Sequence, residues 1–205
     1  TESVDLEFGC AQKAVYDPVA DQVLFSGAPH ASNGVASNRL FRYDVATNRW
    51  TVKPVPAMWG VGDAYDTNAL NPAARELYAS SKLLSNGLRR MNLETGTWSS
   101  MAQPDTIGLS PSEASAEYFP DRDELLWLQA KRLGAWKRSS NTWTLLTSSL
   151  TGLGLRSAIA RYNPVHHGVL ILGGADTSTT PATFSHAVYK YDRNGVITRL
   201  KNSPP

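Results

Sequence analysis

Four histidines are the residues of this chain best suited to metal chemistry: His30, His166, His167 and His186. A zinc or copper site needs three or more ligands that converge on one point. His166 and His167 are adjacent, and neighbouring side chains on one short turn point apart. The chain has a single cysteine, Cys10, so an intrachain disulfide is impossible. We therefore predict no metal ion and no other cofactor.

Four acidic residues, Asp63, Asp66, Glu113 and Glu117, have the chemistry that glycoside cleavage requires. That reaction uses two carboxylates about 5–9 Å apart across a cleft. The spacing of these four singles out no pair, so we assign no catalytic residue. Whether the chain is an enzyme stays open, with a non-enzymatic role preferred and a glycosidase or lyase as the alternative.

Two long loops are the best candidates for ligand binding. Residues 28–38 (APHASNGVASN) and 175–186 (ADTSTTPATFSH) separate short apolar runs, and long loops on a rigid scaffold commonly carry function. Trp59, in the segment VPAMWGVGD, is a candidate for an exposed aromatic platform. We predict a site for a protein or glycan ligand formed by His30, Asn33, Trp59, Asp63, Asp176 and His186.

The charge balance argues against nucleic acid as a partner. The net charge is +2 and the sequence pI is about 8.7, which is mild for a nucleic-acid-binding chain. The basic residues Lys131, Arg132, Lys137 and Arg138 are expected to form a solvated strand edge. No apolar run reaches the roughly 18 residues that a membrane helix needs. We predict neither nucleic-acid binding nor membrane insertion.

A hairpin that ends in tryptophan recurs along the chain and indicates the elements that must position these residues. The segments RLFRYDVATNRW, GLRRMNLETGTW and RLGAWKRSSNTW end at Trp50, Trp98 and Trp143, and AVYKYDRNGVI ends at Ile197. The three tryptophans lie 48 and 45 residues apart, and Ile197 follows 54 residues later. Repeats of that length are typical of four-stranded blades in a radial β array.

A second feature, an apolar strand closing on a proline turn, opens each repeat. Pro18, Pro72, Pro120 and Pro164 mark these turns, because proline cannot donate to a strand ladder. Each repeat therefore supplies four strands, A to D from the inside outward. In the first repeat we place them near 11–17, 22–27, 39–45 and 49–54. No sustained 3.6-residue stripe occurs, so almost no helix is expected.

Most of the tryptophans are expected to be structural. An aromatic residue that recurs once per blade, at Trp50, Trp98 and Trp143, should pack between neighbouring sheets. Trp127 lies in a B strand and is predicted to be core, whereas Trp136 in a C strand is predicted to be half-buried.

These motifs together resemble the kelch repeat, which combines a diglycine, a Tyr-Asp pair, a Thr-Asn type turn and a tryptophan six residues after the Asp. The first repeat matches at Tyr43, Asp44, Thr47, Asn48 and Trp50, and the fourth at Gly173, Gly174, Tyr191 and Asp192. The second and third repeats are degenerate. The resemblance implies an all-β β-propeller of four-stranded antiparallel blades, as in kelch proteins and the central domain of galactose oxidase. The copper site of galactose oxidase is not implied, since no matching His/Tyr set accompanies Cys10.

The repeats span about 9–56, 62–104, 112–150 and 156–205, which we interpret as one kelch-like propeller domain or fragment. The chain would be part of a larger propeller, a closed four-bladed ring, or a half-ring completed by a partner chain. Its expected role is protein or glycan binding, or structural assembly, through the face that the B–C and D–A loops share. A structural subunit such as a viral or phage particle protein is a further alternative. No signal-peptide pattern precedes the first repeat. The compartment stays open, with an extracellular or particle surface preferred to the cytoplasm.

Overall fold

The computed structural model describes residues 14–26, 39–54, 67–80, 87–111, 114–154, 156–176 and 180–200. The chain forms two compact units, Thr1–Met101 and Ala102–Pro205. Among the described residues, none belongs to a helix with the length and apolar character needed to cross a bilayer. The boundaries of the repeats as one domain stay a prediction.

The first unit contains two four-stranded antiparallel sheets. Sheet 1 has the order β1-β2-β3-β4 and sheet 2 the order β5-β6-β7-β8, so each strand pairs with its neighbour in the chain. The strands of sheet 1 are β1 (Ala14–Asp17), β2 (Gln22–Ser26), β3 (Arg39–Asp44) and β4 (Arg49–Pro54). Those of sheet 2 are β5 (Asn68–Asn71), β6 (Glu76–Ser80), β7 (Leu88–Asn92) and β8 (Trp98–Ser100).

The second unit repeats this arrangement with one addition. The strands of sheet 3 are β9 (Ser115–Phe119), β10 (Glu124–Gln129), β11 (Arg132–Lys137) and β12 (Thr142–Thr147). Those of sheet 4 are β13 (Arg156–Asn163), β14 (Gly168–Asp176), β15 (Thr183–Phe184), β16 (Val188–Asp192) and β17 (Ile197–Arg199). The short β15 pairs with the end of β14, outside the four-strand path. The only helical elements in the described residues are two 3-10 turns, Pro104–Ile107 and Pro120–Arg122.

The predicted fold class is confirmed. The chain is all-β, and its four antiparallel four-stranded sheets are the blades of a four-blade β-propeller. The strands β2, β3 and β4 begin at the positions predicted for the first repeat, and β1 and β4 also end where predicted. Strands β2 and β3 end one residue earlier than predicted, and β1 begins at Ala14 in the described part of the chain. The predicted scarcity of helix is also confirmed.

Left-handed residues recur at the same turn positions, which explains why the repeats tolerate different sequences. In every A–B turn the third residue after proline has a positive φ: Asp21, Arg75, Asp123 and His167, at 49°, 54°, 52° and 45°. Every C–D turn places Asn or Gly in the same conformation, the residue types that tolerate it best: Asn48, Gly96, Asn141 and Gly195. The turns therefore keep the same backbone geometry in all four repeats, even in the repeats whose residues depart from the kelch-type pattern.

Each sheet carries one row of four side chains that runs straight across its strands. We call this the cross-strand row, and the face that bears it the row face. In sheet 3 the row is Tyr118, Leu125, Trp136 and Trp143. The equivalent rows are Tyr16, Val23, Tyr43 and Trp50 in sheet 1, Leu70, Leu77, Met91 and Trp98 in sheet 2, and Tyr162, Val169, Tyr191 and Ile197 in sheet 4.

Within each unit, the row face of the second sheet packs against the opposite face of the first. In the first unit, Leu77 and Met91 from the row of sheet 2 cluster with Leu24 and Leu40 of sheet 1. In the second unit, the row residues Val169 and Tyr191 of sheet 4 cluster with opposite-face residues of sheet 3: Phe119, Leu126, Leu128, Leu133 and Ala135. The core of each unit is thus a seam between two blades.

Two expectations about tryptophan are wrong. Trp50 is 48% exposed, although its counterpart Trp143 is buried as predicted. Trp136 is fully buried rather than half-buried, because it occupies the cross-strand row of sheet 3 and its indole N–H donates to Asn141 Oδ1. Trp127 is core, as predicted, and its indole N–H donates to the Ser110 carbonyl.

Candidate functional site

A hairpin arm in the second unit carries the most exposed aromatic side chain among the described residues. Strand β14 runs past the other B strands to Asp176, and β15 folds back on it with Ala175 opposite Phe184 and Asp176 opposite Thr183. The Phe184 side chain is 76% exposed. Regular strand pairing holds this large aromatic ring in solvent, where it is accessible to a ligand.

The arm is fixed by contacts with residues 150–154, the connection between repeats three and four. The Ser185 hydroxyl donates to the Gly152 carbonyl. The backbone N–H of Ser185 donates to the Gly174 carbonyl at 2.9 Å. The Tyr189 hydroxyl donates to the Thr151 carbonyl at 2.6 Å. These bonds place the B–C loop of repeat four beside the preceding D–A connection.

The backbone of Gly154 packs directly against the backbone of β14, at a distance that leaves no room for a side chain at Gly154. The N–H of Gly154 donates to the Gly173 carbonyl at 3.2 Å. A Cβ added at Gly154 would lie 2.1 Å from the backbone of Gly174 and Ala175, so only glycine fits there. The close approach gives the arm a rigid base, which lowers the entropy cost of binding a ligand.

The surface around Phe184 is polar and rich in hydroxyl groups. Thr183 and His186 are exposed, Ser185 is half-buried, and Thr151 is exposed on the adjoining connection. We call the set Thr151, Thr183, Phe184, Ser185 and His186 the arm patch. It combines one apolar ring with hydroxyl and imidazole groups, a composition suited to a ligand that has both apolar and hydroxylated faces.

The structure describes only two of the six predicted binding residues. Asp176 ends β14 and is half-buried, and His186 follows β15 and is exposed, so both belong to the same arm. His30, Asn33, Trp59 and Asp63 lie outside the described residues. Their participation in a site stays a prediction.

Phe184 was not among the binding residues predicted from the sequence. It is the only large apolar side chain in the polar stretch ADTSTTPATFSH. A lone aromatic residue within a Ser/Thr-rich loop was the signal that could have identified it, since such a residue has no local apolar neighbour to pack against.

Among the proposed catalytic carboxylates, Glu117 alone falls in the described part of the chain. It lies on β9, and its Oε2 is 3.4 Å from Nη1 of Arg161 on β13. Burial raises the pKa of Glu117, and the Arg161 guanidinium partly offsets that rise. Its described partner is therefore a cation rather than the second carboxylate that glycoside cleavage uses.

Two further predictions can be compared with the described residues. No group of three or more metal-ligating side chains was found among them. Arg132, expected at a solvated edge, lies on the interior strand β11 and donates to the carbonyls of Ile107 and Gly108. The solvated-edge prediction is wrong at this residue, because its guanidinium serves the backbone of the preceding connection.

Comparison with solved structures supports the fold assignment. The chain is similar to a protein in a crystal structure of a nidogen/laminin complex, with a TM-score of 0.61, 12% identity, and coverage of 95% of this chain and 65% of that one. It is also similar to an auxiliary nutrient binding protein from Bacteroides thetaiotaomicron VPI-5482, with a TM-score of 0.57, 14% identity, and coverage of 93% and 41%. The chain thus spans less than two thirds of the length of either protein. No protein-family model and no curated protein matches it.

Proposed function

We propose that this chain is a non-enzymatic, kelch-like propeller module that binds a glycan, free or protein-linked, through the arm patch. The observation that carries the proposal is Phe184, which is 76% exposed on a hydrogen-bonded arm. A sugar ring offers apolar C–H groups to an aromatic face and hydroxyls to neighbouring polar groups. The arm patch supplies both kinds of partner.

The similar structures support a binding role in general terms. One contains a complex of two proteins and the other is a nutrient binding protein by name. The kelch-type hairpins of repeats one and four support the kelch-like assignment. We infer from these features that the blades serve as a scaffold and that the loops determine the ligand.

A glycan array probed with the wild-type chain and two variants tests this function. Phe184→Ser should weaken binding of any recognised glycan by about 30-fold or more, the scale of losing an aromatic hot spot. Val165→Ser is the matched control, because Val165 is 79% exposed but lies in an A–B turn. Binding that survives Phe184→Ser, or that Val165→Ser removes equally, would rule out the arm patch.

A carbohydrate-active enzyme is the second candidate, and Glu117 is the observation that favours it. A carboxyl whose pKa is raised by burial is suited to act as a general acid. We expect Glu117→Gln to leave glycan binding unchanged under the binding-module proposal. Hydrolysis of a glycan by the wild-type chain, abolished by Glu117→Gln, would replace that proposal with the enzymatic one.

A further inference from the structure

A guanidinium lies beside the arm patch, on the outermost strand of sheet 4. Arg199 ends β17, is exposed, and pairs across the ladder with Tyr189, whose hydroxyl donates to the Thr151 carbonyl. A Cβ placed on Gly152 would lie 3.4 Å from Nη2 of Arg199. The Gly152 carbonyl also accepts the hydroxyl of Ser185. Through Gly152, the cation therefore adjoins two members of the arm patch, Thr151 and Ser185.

The position of this cation is set by the seam between sheets 3 and 4. Residues 150–154 connect the two sheets, and Leu150 and Leu153 belong to the core cluster that joins them. Arg199 contacts this connection at Gly152, and the arm is hydrogen-bonded to it through Ser185. The cation and the arm are thus held against the same segment, within a seam whose two sheets both belong to the second unit.

The composition of the segments around the arm is net positive. Ala175 pairs with Phe184 on one side and with Arg156 of β13 on the other, so the backbone of Arg156 lies two strands from that of Phe184. Asp176 is the only acidic residue in the segments concerned, which are 150–154, 156–158, 173–176, 183–188 and 197–200. The same segments contain two arginines, Arg156 and Arg199. An anionic ligand is therefore favoured at this end of sheet 4 over a cationic one.

A guanidinium recognises a carboxylate or a sulfate with a geometry that hydroxyl groups do not supply. It carries five N–H donors in one plane, and two of them can bond two anionic oxygens in parallel. The hydroxyls of Thr151 and Thr183 suit the neutral oxygens of a sugar, and the Phe184 ring suits its C–H face. The arm patch and Arg199 together have the chemistry to bind a sugar that bears one anionic group.

Resting on the proposed glycan-binding function, we propose that the arm patch takes an acidic sugar, carboxylated or sulfated, and that Arg199 binds its anionic group. The sugar ring packs on Phe184, and its hydroxyls bond Thr151 and Thr183. Arg199 is then the residue that determines specificity, because it discriminates acidic sugars from neutral ones, whereas Phe184 contributes to the binding of both.

An array of matched glycans tests this specificity. Each set presents one backbone in neutral, carboxylated and sulfated forms: lactose with sialyllactose and sulfated lactose, and carboxyl-reduced chondroitin with chondroitin and chondroitin sulfate. The wild-type chain should bind at least one acidic form about tenfold or more tightly than its neutral counterpart, the scale of a charge-assisted contact. The array also shows whether the carboxylated or the sulfated form is preferred.

Substitutions at Arg199 assign the preference to this residue. Arg199→Gln should bring the ratio of acidic to neutral affinity close to one, and Arg199→Lys, which keeps the charge but not the planar fork, should retain part of it. Arg193→Gln is the matched control, because Arg193 is exposed in the C–D turn of the same sheet, at the end of β16 away from the arm. It should keep the wild-type ratio. Raising the NaCl concentration from about 50 to 500 mM should reduce the ratio in wild type but not in Arg199→Gln.

Two results would overturn the acidic-sugar proposal and leave glycan binding intact. One is wild-type binding, lost in Phe184→Ser, that is no tighter for acidic forms than for neutral ones. The other is an acidic preference that survives Arg199→Gln or that Arg193→Gln removes equally. A chain that binds no glycan on the array would refute the proposed function itself. Circular dichroism verifies that each variant is folded, and if Arg199→Gln is not, Arg199→Lys and the salt dependence of wild type decide the test.

Discussion

Tyr191 shows how one buried hydroxyl joins two blades of the second unit. It donates to Glu124 Oε2 at 3.0 Å, and the Arg122 guanidinium lies 5.6 Å from its ring centroid while also binding Glu124. Tyr191 comes from sheet 4, Glu124 from β10 of sheet 3, and Arg122 from the 3-10 turn that precedes β10. Because Glu124 is 5% exposed, its charge depends on these partners rather than on water.

Alkaline pH should destabilise the protein through Tyr191. Burial, and then the Glu124 carboxylate, raise the pKa of Tyr191 from 10.0 to about 12. The folded state therefore retains a proton that the unfolded chain releases, so this contribution is complete below pH 10 and is lost as the pH rises to 12. Its size is roughly 2–3 kcal/mol. Urea unfolding at pH 9 and pH 11.5 should show a smaller pH-dependent loss in Tyr191→Phe than in wild type.

Tyr189→Phe is the control for that measurement. It also removes a buried hydroxyl, the one bonded to Thr151, but it keeps Tyr191 and should keep the wild-type slope with pH. If the free energy of unfolding of Tyr191→Phe fell with pH as steeply as that of wild type, another group would cause the loss of stability at alkaline pH.

At the scale of elements, turns were predictable from the sequence because their residues act locally. The Asp44 side chain accepts a hydrogen bond from the Thr47 N–H at 2.7 Å, and the Asn71 side chain accepts one from the Ala74 N–H at 3.0 Å. Each bond closes a turn that the proline and asparagine residues of the sequence had predicted. The arm formed by β15 was not predictable in the same way. Its pairing depends on contacts with residues 150–154, which a local pattern does not contain.

The fit of the arm against this connection gives a test at Gly154. Gly154→Ala should destabilise the protein by about 2–4 kcal/mol, since its Cβ would overlap backbone that cannot rotate away. Gly173→Ala is the comparison, because a Cβ there meets nothing within 4 Å and only its positive φ of 78° opposes the change, at about 1–2 kcal/mol. Thermal unfolding of both variants shows which substitution destabilises the protein more. A larger loss of stability in Gly173→Ala than in Gly154→Ala would contradict the overlap that we expect at Gly154.

At the scale of the whole molecule, the repeat period predicted the number of sheets, but not how well each row is covered. Trp50 and Trp143 occupy the same register position, yet only Trp143 is buried and donates its indole N–H, to the Ala102 carbonyl at 2.8 Å. Sequence period reports spacing along the chain, whereas burial depends on which neighbour is present. Of the predicted binding residues, His186 belongs to the arm patch and Asp176 ends the adjoining strand β14, whereas Phe184 was not predicted. That these residues bind a ligand stays a prediction.

This difference predicts unequal costs for the same substitution. Trp143→Ala should lower the free energy of unfolding by about 3–5 kcal/mol, the usual cost of emptying a buried aromatic site. Trp50→Ala should cost only about 1–2 kcal/mol, because half of its surface already faces water. Denaturant titrations of the two variants measure both values, and equal losses would mean that Trp50 is covered in solution.

The strand order follows the chain in every sheet apart from the short β15, and this order has a consequence for how such a chain can change over generations. Since each sheet is a meander built from one uninterrupted stretch, every ladder bond is encoded within a single segment. Duplicating or deleting such a segment at its boundaries leaves all the remaining ladders whole. The gene can therefore lengthen or shorten by one module at a time, and the surface left open at each end determines whether the product is tolerated.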